Sequence, residues 1–477
     1  MNSTGSTVNT EVPHDSSSDD AVDAALATAH SSARAARRAS SQDRARWLHA
    51  IADALDAAAE QLLPVAGRES HLPAGRLAGE LARTTFQARL FADRTAAGQL
   101  TDARIDHAAP DWPMGPRPDI RRTQVPIGPV LVFAASNFPF AFSVAGGDTV
   151  SALAAGCPVV VKAHPGHPEL SRLTASVVSA ALASAGAPDG LFGLVEGERA
   201  GVRAVQDPRI KAVGFTGSTR GGRYLFDLAT GRPDPIPFYG ELGATNPVVV
   251  TPAGWQARGP EIATGFAESA LLGAGQFCTQ PGVVLVPDAE AFLREVPAAA
   301  SGPMLNDRIE DGFRAALDSV ARRPGVEIAR RTPGTDGSPD AVLLRTTARA
   351  VLADPSLAET EIFGPASLIV EYDSLDQVAA VLETYQGSLT GTVQGTDGSD
   401  ADGLRILDLL AERVGRVIWN QWPTGVTVSD AQQHGGPWPS STAPTTTSVG
   451  TAAIQRFQRP VAYQNVPAHA LPAELRD

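Results

Sequence analysis

The sequence predicts an α/β protein with a Rossmann-like, nucleotide-binding sheet, a second α/β region and a small β segment near the C-terminus. From residue 128 onward, short and almost continuous apolar runs alternate with helical periodicity, which indicates a parallel sheet covered on both faces. The same alternation resumes near residue 241. With 477 residues, 43% of them hydrophobic, the chain is long enough for two or three cores.

The region before the first sheet is predicted to be helical after a disordered start. Residues 1–20 are rich in Ser, Thr and Asp and lack the apolar core of a signal peptide, so we expect a disordered tail. Apolar positions at helical spacing predict two helices over 21–62 and further helix over 75–99. The Pro-rich passage 109–119 breaks helices and is interpreted as a surface connector or extended arm.

The two α/β regions each contain several predicted strands. In the first, we predict strands at 128–135, 157–162, 191–195 and 211–215, with helices at 143–155, 169–185, 198–206 and from Ser218. In the second, we predict strands at 248–251, 282–286, 367–371 and 415–420, with helices at 260–273 and 308–322. Residues 445–464 have β-branched residues and little helical period, and are interpreted as an arm added to a neighbouring subunit's sheet.

The composition excludes several classes of partner and compartment. The net charge is −13 and no long Lys/Arg run occurs, so neither nucleic acid nor an anionic membrane is expected as a partner. Two cysteines in so long a chain argue against a disulfide framework and favour a reducing compartment, the cytoplasm. Residues 125–147 carry no formal charge, but their prolines favour a buried strand and loop over a membrane span.

A cysteine and a glutamate are the candidate catalytic pair. Cys278 lies in Gly-Gln-Phe-Cys-Thr, and Glu241 in Phe-Tyr-Gly-Glu-Leu-Gly-Ala-Thr-Asn-Pro. A thiol is intrinsically very nucleophilic, and a carboxylate near it, or near a water beside it, supplies a base. Considered alone, the pair is better explained as a small buried hydrophobe and a surface charge. Further segments have to support the same chemistry.

Two residues at predicted strand ends fit that chemistry. Asn137 follows the first strand, and its neutral side-chain amide suits an oxyanion donor, although an Asx-turn before Phe-Pro is the ordinary alternative. Lys162 ends a strand at the carboxyl edge, where open α/β sheets hold ligands. A lysine there can bind ribose hydroxyls or simply extend to solvent.

Two further segments suit a bound nucleotide. Residues 213–222, which include Gly217 and Ser218, close a strand and open a helix, so their backbone amides can receive a phosphate. This segment lacks the G-x-G-x-x-G fingerprint, and a Ser-capped helix is the alternative. In Glu361-Ile-Phe-Gly-Pro, a carboxylate lies two residues before Phe363 and a Gly-Pro turn, where a surface acid is the alternative.

The remaining cysteine and the histidines give no metal pattern. Cys157 begins a buried strand and is interpreted as core. His434, in His-Gly-Gly-Pro-Trp, is a possible site residue without a defined role. His164 and His167 lie in a Pro/Gly turn without further ligands nearby, so no metal is predicted.

Together and in this order, these segments resemble the aldehyde dehydrogenase superfamily over about residues 21–465. Within it, the chain is most similar to the NADP-linked 2,5-dioxovalerate (α-ketoglutaric semialdehyde) dehydrogenases and the bacterial fatty aldehyde dehydrogenases. The segments that carry this narrower resemblance are RTTFQARLFA (83–92), FAASNFPFAFSVAGGDT (133–149), VVKAHPGHP (160–168), RPDPIPFYGELGATNP (232–247), GQFCTQPG (275–282) and SVGTAAIQRFQRPVAYQ (448–464).

The resemblance implies a role for each candidate residue. Cys278 is the nucleophile, Glu241 is the general base, and Asn137 forms the oxyanion hole with the backbone N–H of Cys278. The implied cofactor-binding residues are Lys162, Glu361, Phe363, Gly217, Ser218, Pro165 and Arg199. The resemblance also implies a homodimer or homotetramer with three parts: a cofactor-binding domain over 21–240 with an arm segment near 105–124, a catalytic domain over 241–440, and an oligomerisation arm and tail over 441–477.

Cofactor and substrate choice depend on less regular positions. Many NAD-preferring relatives carry a glutamate three residues beyond the lysine, where this chain has Pro165, so we expect NADP to be preferred with NAD possible. Arg199 or Arg203 can reach the far side of the adenosine ribose. Arg83 and Gln87 share a face of the helix that lines the implied aldehyde tunnel, and a guanidinium there suits a distal carboxylate.

Alternatives remain open at this stage. Residues 426–433 differ from the usual dioxovalerate enzymes, so a medium- or long-chain fatty aldehyde is an alternative substrate. CoA-acylating oxidation is a second alternative, against which Glu241 argues because that route needs no base for water. A non-catalytic structural or binding protein on the same fold is the alternative of another class.

Overall fold

The structure is a computed structural model that describes residues 16–396 and 400–476. Most of the predicted disordered tail, residues 1–15, lies outside the described residues. The Ser17 N–H donates to the Glu196 carbonyl at 3.0 Å, and Ser18 caps the first helix. Helical structure therefore begins two residues before the predicted start at residue 21.

The α-helices are numbered here in chain order. They are α1 (Asp19–Arg38), α2 (Ser41–Ala57), α3 (Ala59–Ser70), α4 (Ala74–Ala96), α5 (Gly147–Ala155), α6 (Pro168–Ser184), α7 (Glu198–Gln206), α8 (Thr219–Thr230), α9 (Pro252–Leu271), α10 (Ala289–Glu295), α11 (Asp307–Ala321), α12 (Ala348–Ala353), α13 (Ser356–Glu359), α14 (Leu375–Thr384) and α15 (Ala401–Ala411).

The strands are numbered in the same way. They are β1 (Arg104–Asp106), β2 (Ile120–Pro126), β3 (Val130–Phe133), β4 (Val159–Lys162), β5 (Phe192–Val195), β6 (Ala212–Thr216), β7 (Phe238–Glu241), β8 (Val248–Val250), β9 (Val283–Val286), β10 (Glu327–Thr332), β11 (Ala341–Thr347), β12 (Ala366–Glu371), β13 (Ser388–Gln394), β14 (Val414–Trp419) and β15 (Gln458–Gln464).

Side-chain caps decide where several helices begin. Before α2, Ser40 and Asp43 form a capping box in which each side chain accepts the backbone N–H of the other. The end of α2 at Ala57 has no such signal, because Ala58 leaves the helical conformation without any capping side chain. The prediction of two helices over 21–62 is therefore wrong, because this range contains α1, α2 and the start of a third helix, α3, at Ala59.

The first sheet is parallel throughout, as the sequence predicts, with the order β5-β4-β3-β6-β7. Apolar residues of α1, α7 and α8 pack on one face, and residues of α2, α4, α5 and α6 contribute to the core on the other. All carboxyl ends of these strands therefore meet at one edge, which carries Lys162 and Glu241.

The second sheet has the order β10-β11-β12-β9-β8-β13-β14, and its pairs are parallel except β10 with β11. The sequence predicts four of these strands and misses β10, β11 and β13. β13 is completely buried although its sequence is SLTGTVQ. The backbone N–H and the hydroxyl of Thr390 both donate to the Oδ1 of Asn246, at 3.1 Å each. Such hydrogen bonds allow this strand to be buried without being apolar.

The third sheet joins residues 104–126 to the C-terminal segment, with the order β1-β2-β15 and antiparallel pairs. In the described chain, the predicted C-terminal arm pairs with β2 of its own chain, after a 3₁₀ helix over Thr451–Phe457. The Pro-rich passage forms an exposed hairpin closed by the bridge of Ala109 with Arg117.

The apolar stretch 125–147 runs from the last two residues of β2 through β3 and a series of turns to the start of α5, so it contains the predicted buried strand and loop. Across the ranges 16–396 and 400–476, none of the helices combines the length and hydropathy that a bilayer crossing requires. The proposed boundary near residue 241 coincides with a change of sheet, because Glu241 ends β7 in the first sheet and β8 belongs to the second.

Candidate active site

Cys278 lies in the loop between the 3₁₀ helix Leu272–Gly275 and β9, and Asn246 holds that loop in place. The Asn246 Nδ2 donates to the carbonyls of Cys278 and Gln280 at 2.8 and 2.9 Å. Asn246 is fully buried with φ at +50°, a left-handed conformation that asparagine tolerates better than most residues. Asn246 belongs to the Glu241 motif quoted above, but no role was predicted for it.

Three side chains from distant parts of the chain meet beside this loop. The His434 Nε2 lies 2.8 Å from the Glu241 Oε1 and 3.6 Å from the Cys278 Sγ. His434 and Glu241 are both buried. The structure thus brings the two residues of the candidate catalytic pair together and adds a histidine for which no defined role was predicted.

The Glu241 carboxylate is buried but well supported. Burial alone would raise its pKa, yet the neighbouring His434 and hydrogen bonds from His434, Ser448 and Cys278 outweigh burial and lower the pKa. The Ser448 hydroxyl donates to the Glu241 Oε2. Glu241 is therefore ionised at neutral pH and available as a base.

The Cys278 thiol has the opposite tendency. Burial raises its pKa well above the usual range, and the negative charge of Glu241 and a hydrogen bond to it raise it further, with a smaller contribution from Glu361. Arg416 opposes this increase. The resting cysteine is therefore a neutral thiol, which requires a base at the moment of attack.

The ligand atoms of Cys278, Glu241 and His434 all lie within 4.8 Å of one another, a spacing that also suits a metal ion. A metal-bound imidazole usually donates its other N–H to an acceptor, which orients the ring. The His434 Nδ1 is buried and has no hydrogen-bond partner in the described part of the chain. The trio is therefore better described as a group for proton transfer.

Asn137 lies in a loop that α4 holds from two positions. The Asn137 Nδ2 donates to the Gln276 carbonyl at 3.1 Å. The backbone carbonyl of Asn137 accepts from the Arg76 Nη2 at 2.7 Å. Glu80 accepts the N–H groups of residues 140 and 141 at 2.8 and 3.0 Å. The backbone N–H of Cys278 donates to no acceptor within residues 16–396 and 400–476, so it is available to an oxyanion.

The first sheet's carboxyl edge fits a dinucleotide. Lys162 is buried at the end of β4, and burial lowers its pKa. Ser218 caps α8 by accepting the Gly221 N–H at 3.2 Å, and the N–H of Gly217 is taken by the Glu241 carbonyl at 3.1 Å. The Ser-capped helix of the alternative interpretation is therefore present, and its exposed N-terminal turn remains suitable for a phosphate.

Glu361 lies against residues 243 and 244, shortly after the end of β7. A Cβ atom placed on Gly243 would lie 2.2 Å from the Glu361 Oε2, so a larger residue there would require the carboxylate to move. Burial raises the pKa of Glu361 to about 7, although an N–H of Ala244 opposes the shift. Phe363 lies two residues further along and is partly buried.

The residues proposed for cofactor choice are exposed. Pro165 lies at the surface of the turn after Lys162. The Arg199 Nη2 is 2.6 Å from the Asp19 Oδ2, and Arg203 lies 3.6 Å from the same oxygen. Both arginines are therefore paired with α1 rather than held free for a phosphate.

The two candidate substrate residues diverge in space despite their shared helix face. The Arg83 guanidinium lies over the Phe142 ring at 5.4 Å, and its Nη2 is 3.5 Å from the Val426 carbonyl. Gln87 is buried against Gly147, and its Nε2 has no hydrogen-bond partner among the described residues.

Comparison with known proteins gives consistent results. The sequence model described as "Aldehyde dehydrogenase family" matches residues 2–459. Alpha-ketoglutaric semialdehyde dehydrogenase 2 of Azospirillum brasilense is 47% identical over 446 residues, which cover 91% of this chain and 85% of that protein. Alpha-ketoglutaric semialdehyde dehydrogenase of Acinetobacter baylyi is 40% identical over 467 residues, which cover 96% and 89%.

Solved structures share the fold at lower identity. An NAD-dependent aldehyde dehydrogenase from Sinorhizobium meliloti has a TM-score of 0.78 at 22% identity, over 95% of this chain and 89% of that one. A 1-pyrroline-5-carboxylate dehydrogenase from Thermus with bound NAD has a TM-score of 0.79 at 20% identity, over 94% and 86%.

The first prediction concerns the charge beside the thiol. Replacing Glu241 by Gln removes a negative charge that raises the pKa of Cys278, so the thiolate forms at lower pH. In a Cys157→Ala background, where Cys278 is the remaining cysteine, we expect the pH midpoint of alkylation by iodoacetamide to fall. Glu359→Gln serves as the control, since Glu359 is not among the groups that shift this thiol. A midpoint that stays or rises would show that Glu241 does not hold the thiol neutral.

Proposed function

Because the chain belongs to the aldehyde dehydrogenase family, we propose that it oxidises 2,5-dioxovalerate to 2-oxoglutarate with a nicotinamide dinucleotide. The chemistry is carried by one observation, the contact of a partly buried thiol with an ionised carboxylate and a histidine. The substrate is supported by the names of the two relatives at 47% and 40% identity and by the positively charged Arg83 near the site.

The reaction begins with removal of the thiol proton. His434, whose Nε2 lies 3.6 Å from the Sγ and 2.8 Å from the ionised Glu241 Oε1, accepts it. The sulfur then adds to the aldehyde carbon. The oxygen that becomes negative accepts hydrogen bonds from the Asn137 Nδ2 and the backbone N–H of Cys278. Loss of one such donor typically lowers turnover by about 10²–10³-fold.

The second half of the reaction releases the acid. A bound nicotinamide supplies the hydride acceptor, and Lys162, Ser218 and Glu361 are the residues that would hold its dinucleotide. Glu241 next takes a proton from water, and the resulting hydroxide attacks the thioester carbon. The C–S bond then breaks, Cys278 regains its proton from His434, the carboxylic acid leaves, and Glu241 releases the water-derived proton to solvent. A base for water is required only on this hydrolytic route, which is why we favour it over acyl transfer to CoA.

Arg83 favours a dicarboxylic semialdehyde over a fatty aldehyde. An apolar chain would leave its guanidinium unpaired in a partly buried position, whereas a distal carboxylate can accept two of its N–H groups. Gln87 is retained as a candidate for the wall of the same tunnel.

The proposal includes a homodimer or homotetramer in a reducing compartment, the cytoplasm. The outer edge of β15 is unpaired within the described chain, and such an edge can accept a strand of another subunit. Both cysteines are free, and the net charge of −13 disfavours nucleic acid and anionic membranes.

The nucleophile is tested by removing each cysteine in turn. Cys278→Ala should abolish aldehyde-dependent cofactor reduction while cofactor binding, followed by fluorescence quenching, stays nearly intact. Cys157→Ala is the matched control: its thiol is buried against the Phe457 carbonyl, so we expect lower stability and preserved turnover. Substantial turnover by the Cys278→Ala protein would exclude this assignment.

The role of Glu241 is tested by the order of the two half-reactions. In Glu241→Gln, His434 remains 3.6 Å from the sulfur and can still take its proton, but water loses its base. Rapid mixing should therefore show a burst of reduced cofactor followed by a slow steady state. Simultaneous loss of both phases would mean that Glu241 is also required to activate the thiol.

Cofactor choice is the finer part of the proposal, with NADP preferred and some NAD activity. Pro165 provides neither a charge that repels a 2′-phosphate nor a hydrogen bond to a 2′-hydroxyl. Pro165→Glu should reverse the preference, mainly by raising the KM for NADP. Values of kcat/KM with both cofactors decide this, and a wild type that favours NAD by about tenfold, or about 1.4 kcal/mol, would contradict it.

A further inference from the structure

Two arginines from different elements bind the same loop, residues 423–426. On β14, the Arg416 Nη2 donates to the carbonyls of Pro423 and Gly425 at 2.8 and 2.9 Å. On α4, the Arg83 Nη2 donates to the Val426 carbonyl at 3.5 Å. The loop therefore connects two guanidinium groups that lie 333 residues apart in sequence, from 83 to 416.

Loop 423–426 lies directly beside the nucleophile. The Gly425 N–H donates to the Oγ1 of Thr279, the residue after Cys278, at 3.0 Å. On the other side, the ring of Phe142 lies beneath Arg83 and 6.2 Å from the ring of His434. Arg416 is thus linked to Cys278 through Gly425 and Thr279, and Arg83 is linked to His434 through Phe142.

Neither arginine has a carboxylate partner in the part of the chain that the structure describes. The nearby Glu80 uses its Oε1 on the backbone amides of residues 140 and 141. The Nη1 of Arg83 and the Nε of Arg416 are buried without a hydrogen-bond acceptor. Burial lowers the pKa of both guanidinium groups, and it is opposed at Arg83 by Glu80, Cys278 and Glu241 and at Arg416 by Cys278.

A buried cation without a counter-ion is costly, and an anionic ligand would offset that cost. We propose that Arg416 is a specificity-determining residue, and that Arg83 and Arg416 together bind the 2-oxo acid end of the aldehyde substrate. This inference rests on the proposed function and assigns a residue to it that neither the motifs nor the comparisons identify.

The chemistry of the ligand explains why two guanidinium groups are present. A simple carboxylate offers two oxygens, which one fork-shaped guanidinium can bind. A 2-oxo acid adds a ketone oxygen in nearly the same plane, which requires a further donor from another direction. Arg416 lies across loop 423–426 from Arg83 and has the unused Nε–H for this purpose.

Kinetics with three aldehydes test the assignment. We compare 2,5-dioxovalerate, 5-oxopentanoate (which lacks the 2-oxo group) and hexanal. For Arg416→Gln, the ratio of kcat/KM for 2,5-dioxovalerate to that for hexanal should fall about 10- to 100-fold, mainly through KM. Arg416→Lys, which keeps the charge, should lose less. For 5-oxopentanoate, Arg83→Gln should have the larger effect.

Arg413→Gln is the matched control. Arg413 precedes the same strand and binds the Tyr385 carbonyl at 3.5 Å, but has no contact with loop 423–426. Its substitution should leave the substrate ratio within about twofold of wild type. Equal losses on 2,5-dioxovalerate and hexanal in Arg416→Gln would show that Arg416 only supports the loop, and would overturn the inference.

A binding measurement separates this inference from the proposed function. In a Cys278→Ala background, calorimetry with 2-oxoglutarate should show binding that Arg416→Gln weakens at least tenfold, and hexanoate should bind poorly to both proteins. Failure of 2-oxoglutarate to bind, or equal binding by both proteins, overturns the role of Arg416. Failure of the wild type to oxidise 2,5-dioxovalerate overturns the proposed function instead. In that case, the calorimetry alone decides whether Arg83 and Arg416 bind a 2-oxo acid.

Discussion

The burial of the Glu241 carboxylate is the constraint on which the rest of the site depends. An ionised carboxylate removed from water is stable only if nearby groups replace its hydration. Here His434 and Ser448 provide those groups, and both belong to the segment after the second sheet. The C-terminal segment must therefore fold back over the edge of the first sheet for the base to exist in its active form.

The backbone shows how this return is secured. Glu241 and Ser441 form an isolated antiparallel bridge, and the Leu242 N–H donates to the Ser440 carbonyl at 2.8 Å. The Thr442 hydroxyl accepts the Gly240 N–H at 2.8 Å. These contacts attach residues 440–442 to the end of β7 like an additional strand. Beside this attachment, His434 contacts the Oε1 of Glu241 and Ser448 donates to its Oε2.

The second half of the site depends on polar residues inside the second sheet. Asn246 joins the Cys278 loop to β13, because its amide donates to the loop while its carbonyl oxygen accepts from Thr390. Loop 423–426 joins Thr279 to Arg416 on β14. The nucleophile is thus positioned by hydrogen bonds to two adjacent strands, which fixes it more firmly than a free loop would.

The sequence by itself determined four strands in each of the two large sheets and the residues that follow several of them, since these depend on local periodicity and turn residues, but it missed β7, which carries Glu241. The break at Ala58 and the buried polar strand β13 have no local signal, so they were missed. Motif resemblance named Cys278, Glu241 and Asn137, but gave no role to Asn246 or Arg416. Only the tertiary structure decided that His434 joins Cys278 and Glu241, and that Arg83 and Arg416 bind one loop. The physical reason is that burial, charge compensation and hydrogen-bond partners arise between segments that lie hundreds of residues apart, where periodicity in the sequence carries no information.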